Sequence, residues 1–235
     1  MTAADEIRRR GWRQCSIAAD PLRERLLRED LLRDVTADDL LIVATQDCDL
    51  VCHSFETEPY AEIVIGRRVD TADGNCRFGK NPRRLQFELS GTPDTYEVQA
   101  ISRISVPRDV LAEYGPDPER KLDETTSRMI PEWLGKRYTR VALPDSFNER
   151  SRVAQAKIRD RLKADGELVE AIFLTVVPNA ELAPHEAYSL VVRVVVREET
   201  LLDDARGAPA ESGGPHEGSL SAMQGHYARR LRGGI

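Results

Sequence analysis

Hydrophobic and polar positions divide the chain into segments of different period. Leu22, Leu26, Leu27, Leu31 and Leu32 recur at helical spacing with arginine and glutamate between them, and Asp20-Pro21 precedes them as a helix start. Leu40 to Thr45 is continuously apolar, which predicts a strand buried on both sides and central in its sheet. Tyr60 to Val69 alternates, with Ile63 and Ile65 on one face. Arg83 to Leu89 alternates through Leu85, Phe87 and Leu89, and Tyr96 to Val106 through Val98, Ala100, Ile101 and Ile104. Turn residues separate these runs: Asp73-Gly74-Asn75, Gly79 with Asn81-Pro82, and Gly91 with Pro93-Asp94. Strands joined this way predict an antiparallel sheet or a small, partly closed barrel.

The second half reads differently. Gly115-Pro116-Asp117-Pro118 interrupts the chain, and Asp123 to Tyr138 is helical in pattern, with Pro131 starting a new helix or kinking one. Arg150 to Asp165 predicts a helix ending at Gly166, Leu168 to Val177 an apolar strand or a buried helix end, and Tyr188 to Val196 a strand. The segment before Arg13 reads as a frayed lead-in. From Asp203 the composition shifts, and residues 207–218 hold Gly, Pro, Ser and Ala with almost no large apolar group. The sequence therefore predicts an α+β fold: one domain over residues 1–204, with a possible sub-boundary near 107–122, and a disordered tail over 205–235. Within that tail Leu220, Met223, Tyr227 and Leu231 share one side of a possible short helix over 219–231, placed to bind a protein partner.

Charge and cysteine content narrow the classes. A net charge of −6 argues against a surface built mainly for nucleic-acid phosphates, although a local basic patch fits within that total. Four cysteines are too few for a disulfide framework at this length, no secretory signal precedes Arg13, and no apolar run is long enough for a membrane span. These features imply a cytoplasmic protein with free thiols, with no cofactor and no membrane partner.

The chemistry-bearing candidates are few. Asp47-Cys48-Asp49 follows the apolar strand. Two carboxylates there suit a divalent cation or a shared proton, and strand alternation would put Asp47 and Asp49 on one side and Cys48 on the other. Cys48 serves as a nucleophile only if a base such as His53 lowers its pKa, whereas neighbouring carboxylates raise it; in the alternative reading Cys48 packs in the core while the acids cap a turn. Cys48, Cys52 and His53 give C-x3-C-H, short of the four ligands of a structural zinc site, so no metal is assigned. Lys80, Arg83 and Arg84 form a basic loop that suits phosphate, or a solvated turn that guards a sheet edge. Trp133 to Arg140 mixes aromatics with cations, which suits RNA or a protein groove; the same pattern suits a helix with Trp133 and Tyr138 as core anchors. No nucleophile elbow, zincin or kinase motif occurs.

Gly11-Trp12-Arg13-Gln14-Cys15-Ser16-Ile17, taken with Leu41 to Leu50 and Pro59 to Ile65, resembles the opening of uncharacterised bacterial proteins and the small barrel of PemK-like toxins, over about a quarter of the chain. The acid that follows the first glycine in that pattern is absent here. The resemblance implies an SH3-type barrel and endoribonuclease activity. Arg230-Leu231-Arg232-Gly233-Gly234 is similar to the ubiquitin C-terminus, which implies adenylation by an activating enzyme. The sequence leads to a non-enzymatic interaction or regulatory protein, an accessory of a multi-gene bacterial system of defence or toxin–antitoxin type. Its alternative is a PemK-like or metal-dependent nuclease using Asp47, Cys48 and Asp49.

Overall fold

The computed structural model describes residues 2–197. Leu220, Met223, Tyr227 and Leu231, and the ubiquitin-like end, lie outside the described residues. The fold is α+β with antiparallel sheets, and the chain divides between Arg140 and Val141 into two compact units. Residues 107–122, where the sequence suggested a sub-boundary, pack inside the first unit.

The first unit is a four-stranded antiparallel sheet: β1 (Leu40–Val43), β2 (Tyr60–Val69), β3 (Arg84–Glu88) and β4 (Thr95–Pro107), in the order β1-β2-β4-β3. The sheet is open: of the antiparallel sheet and the partly closed barrel that the turn spacing allows, the chain forms the sheet. β1 pairs with β2 alone among the four, from Leu40 opposite Gly66 to Val43 opposite Ile63. It is therefore a border strand, not the central one that its apolar run predicts. The physical reason is that its outer edge is covered. The amides of Cys15 and Ala18 donate to the carbonyls of Val43 and Leu41 (2.7 and 2.8 Å), and the Val43 amide donates to Ser16 (2.9 Å).

Both faces of β1 are covered as well. Leu41, Val43, Ile63 and Ile65 pack with α1 (Ala3–Arg9), α2 (Asp20–Arg28) and α4 (Val110–Glu113). Leu40, Ile42, Val64, Leu85, Phe87 and Val98 pack with Ile130, Trp133 and Leu134 of α5 (Glu124–Thr139). A strand enclosed on both faces needs no polar positions, which explains Leu40-Leu41-Ile42-Val43. Gly66 sits where this packing is closest: a Cβ there would meet the Leu40 Cβ at 3.4 Å and the Ile42 Cδ1 at 3.5 Å.

The N-terminal segment is not frayed. Thr2 and Asp5 form a reciprocal capping box that starts α1, and Ala4 and Ile7 are buried. Trp12 then inserts into the core, its indole N–H donating to the carbonyls of Leu111 (2.9 Å) and Tyr114 (2.8 Å). Pro131 lies within α5 without ending it. A proline leaves the carbonyl four residues earlier without its helical donor; here that carbonyl, on Ser127, accepts the Cys15 thiol at 3.2 Å. Burial, with Asp47 adding to it, pushes the Cys15 thiol up to about 12, so it is a structural donor.

The second unit consists of α6 (Asp145–Asp165) and a hairpin of β5 (Val169–Val177) and β6 (Ser189–Val196). Phe147, Val176 and Tyr188 form its small core. Proline at the N-cap of α6 offers no side-chain cap; the Glu181 carboxylate accepts the Asp145 and Ser146 amides instead, at 2.6 and 2.9 Å. Arg150 ties the 182–186 turn to the helix through the carbonyls of Leu182, Ala183 and Glu186.

Candidate functional site

A polar cleft of about 460 Å³ opens in the first unit, on the α5 side of the sheet. Its position follows from strand register. Glu62 lies opposite Ser105 and Val64 opposite Arg103, so Tyr60, Glu62, Arg103 and Ser105 continue the face that carries the α5 core. That face changes from apolar to polar beyond Val64. Pro131, Leu134, Gly135 and Tyr138 of α5 form the opposite wall. Ala44, Thr45 and Gln46, following β1, close the floor with Gln14. The Gln14 amide side chain donates to the Ala44 carbonyl at 2.7 Å, and the Glu62 amide donates to the Thr45 hydroxyl at 2.6 Å.

Asp49, Glu58 and Glu62 line this cleft, with Arg103 the single cation among its lining residues. Arg103 is already engaged: it pairs with Glu62 at 3.0 Å, donates to the Tyr138 hydroxyl at 2.5 Å and lies 5.7 Å from that ring's centre. Tyr138 is 71% exposed, so it is a wall of the cleft and not the core anchor that the sequence suggested; Trp133 alone of that pair is buried.

Asp47, Cys48 and Asp49 do not end a strand. β1 stops at Val43, and Asp47–Leu50 form a one-turn helix, α3. Residues two apart in a helix point about 200° apart, so the two acids diverge. Asp47 turns to the N-terminal segment, accepting the Gln14 amide at 2.6 Å with Arg13 at 3.9 Å, while Asp49 faces the cleft. Cys48 is exposed and donates to the Asp49 carboxylate at 3.2 Å. That hydrogen bond raises the thiol's pKa, the reverse of an activated nucleophile. Among the described residues, no three His, Cys, Asp or Glu side chains come together as a metal site.

Removing the Asp49 charge will free the Cys48 thiol. We expect Asp49→Asn to accelerate alkylation of Cys48 by iodoacetamide at pH 8 about twofold or more, read by peptide mass spectrometry. Cys15 and Cys76, both buried, serve as the slow internal references. An unchanged Cys48 rate would mean that the thiol does not engage Asp49 in solution.

Lys80, Arg83 and Arg84 lie on another part of the unit and do not line the cleft. The Arg84 guanidinium meets the Glu97 carboxylate through two hydrogen bonds, at 2.9 and 2.5 Å, and Gln86 adds a third at 2.9 Å. Burial alone would raise the Glu97 pKa; the Arg84 and Gln86 hydrogen bonds outweigh it and hold the carboxyl below its usual range. Arg84 is thus committed to its own sheet. The Asn81 carboxamide accepts the amides of Arg83 and Arg84, and Lys80 lies 5.0 Å from the Phe78 ring centre.

Arg108 is the residue on which α3 depends, and sequence reading missed it. It is fully buried, and its guanidinium donates to the carbonyls of Asp49 (2.8 Å), Leu50 (3.0 Å), Cys52 (2.7 Å) and Ser54 (3.3 Å) while stacking 3.9 Å from the Phe55 ring centre. A loop with four carbonyls turned inward needs a buried multi-donor side chain, and only arginine supplies it. No local pattern around position 108 carries that information. For Tyr60 and Glu62 a signal was present, as the polar alternates to Ile63 and Ile65. Comparison with family models, curated proteins and solved structures gives no match to this chain.

Proposed function

We propose that this chain is a non-enzymatic interaction protein, and that the cleft beside β1 receives a cationic segment of a protein partner. The observation that carries this reading is the composition of the cleft: three carboxylates and two exposed tyrosines against one arginine that is already paired. An arriving lysine or arginine would find carboxylates for its charge and ring faces for its stem. Phosphate-bearing ligands would meet repulsion there, which favours a protein partner over nucleic acid. A non-enzymatic role is supported by the raised Cys48 thiol and by the divergence of Asp47 from Asp49, which leaves the nuclease alternative with one of its two acids at the cleft. Free cysteines and the absence of a helix long and apolar enough to cross a membrane, among the described residues, fit a cytoplasmic setting.

The test is a titration of the isotope-labelled protein with an arginine-rich decapeptide and with its glutamate-rich counterpart, followed by amide NMR shifts. The arginine peptide should perturb Thr45, Asp49, Glu62 and Tyr138 at micromolar affinity, and the glutamate peptide should not. Asp49→Asn with Glu58→Gln should weaken binding about tenfold, given up to about 1 kcal/mol for each exposed ion pair. Shifts elsewhere, or equal shifts with both peptides, would overturn the reading.

A further inference from the structure

Arg103 is held differently from the structural arginines of the first unit. Arg108 is fully buried and donates to backbone carbonyls, and Arg84 meets a Glu97 side chain that is only 8% exposed. Arg103 holds the ends of two side chains that solvent reaches: Glu62, 40% exposed in its side chain, and Tyr138, 71% exposed. Its own strand confines it little. The β2–β4 register breaks just before it, so that Gln99 to Ser102 stand against Ile65 alone, and the ladder resumes with Arg103 opposite Val64. From that rung the side chain leans along the sheet to Glu62, two residues further on. An ion pair between such accessible groups is weak, on the order of fivefold in an equilibrium constant.

The contacts of Arg103 display how this cleft holds a guanidinium: a carboxylate at 3.0 Å, a phenol oxygen at 2.5 Å and a ring centre at 5.7 Å. A planar group with several N–H donors meets all three together, whereas the compact, strongly hydrated ammonium of lysine does not. We propose that Arg103 is an internal stand-in for an arginine of the partner: it fills the guanidinium position made by Glu62 and Tyr138, and an arriving arginine side chain takes that position by displacing it. The proposal rests on the reading of the cleft as a receptor for a cationic segment, and adds to it the kind of cation and the step that limits access. Asp49, Glu58 and Glu62 outnumber the one guanidinium, so an arriving cation is attracted while Arg103 is still in place. A competitor tethered beside its site lowers the apparent affinity by the fraction of time that the site is free.

The experiment titrates the full chain as wild type, Arg103→Met and Arg103→Lys with the arginine-rich decapeptide and with a lysine-rich one. Amide NMR shifts are followed together with the Arg103 Nε–H resonance, assigned by its absence from Arg103→Met. The arginine peptide should bind Arg103→Met about fivefold more tightly than wild type, and should move the wild-type Nε–H resonance to the position of a solvated arginine. Arg103→Lys keeps the charge but not the planar fork, and should bind about twofold more tightly than wild type. The lysine peptide should bind wild type about threefold more weakly than the arginine peptide. Cleft shifts with an unmoved Nε–H resonance, or weaker binding by Arg103→Met, would make Arg103 part of the receiving surface and overturn the inference alone. An affinity of Arg103→Lys equal to wild type would do the same, since charge and not occupancy would then set the affinity. Equal affinities for the two peptides would overturn the guanidinium assignment. An absence of cleft shifts in all three proteins would overturn the reading of the cleft itself, and the inference with it.

Discussion

Arg108→Met is expected to destabilise the first unit by about 3 kcal/mol, and to release α3 before the rest of the sheet unfolds. Methionine fills a similar volume, so the loss is not mainly a cavity. It arises because the carbonyls of Asp49, Leu50, Cys52 and Ser54 keep their inward orientation and lose their donor. Hydrogen bonds to a charged group contribute about 1.5–3 kcal/mol each, and an unsatisfied buried carbonyl costs about 1–3 kcal/mol. Relief from burying a guanidinium offsets part of that sum. Urea denaturation followed by tryptophan fluorescence should show the midpoint lowered by about 1–2 M. Lysine at 108 keeps the charge but not the planar spread of donors, so it should recover less than half. A loss under about 1 kcal/mol for Arg108→Met would mean that water or a backbone shift replaces the guanidinium, and that α3 is held from elsewhere. The same substitution bears on the cleft, because Asp49 reaches it only through the turn that Arg108 holds.

Trp133→Ala is expected to cost about 4 kcal/mol. Trp133 is 2% exposed in the core on the α5 side of the sheet, and its indole N–H donates to the Asn81 carbonyl at 2.7 Å. Truncating a buried tryptophan removes its transfer free energy, leaves a cavity and strands that carbonyl. Trp133→Phe keeps most of the burial and loses the hydrogen bond, so about 1–2 kcal/mol is expected. Tyr138→Ala, five residues later on the same helix, should change stability by under about 0.5 kcal/mol, as its ring stands in solvent at the cleft. Trp12, the other tryptophan, remains as the fluorescent reporter in the Trp133 variants. Equal effects of Trp133→Ala and Tyr138→Ala would contradict this division between core and wall.

Each tryptophan anchors one face of the sheet, Trp12 with α1 and α4, Trp133 with α5 and the basic loop. The sequence reading took only Trp133 as a core residue and left Trp12 in the lead-in. A capping box at Thr2 and Asp5 was present in the letters, but a helix of seven residues with two buried positions has too short a period to stand out. The candidate site was legible in part. Asp49 was singled out for its place after an apolar strand, and it does line the cleft. Its partnership with Asp47 was misjudged because a strand's alternation was carried past Val43 into residues that are helical.

Local pattern determined most of the secondary structure of this chain: four alternating or apolar runs became the sheet, and the valine-rich segments became the hairpin. It also determined the α+β class, because turn residues between short strands leave little room for parallel crossovers. Tertiary structure alone decided that β1 is a covered border strand, that Arg108 curls residues 49–54 inward, and that Tyr60, Glu62, Arg103 and Tyr138 meet in one cleft. The reason is separation along the chain. Side chains within one turn or one strand interact through a fixed period that the sequence displays. Arg108 and Asp49, or Arg103 and Tyr138, meet only after sheet register and helix packing have been chosen by burial summed over the whole unit.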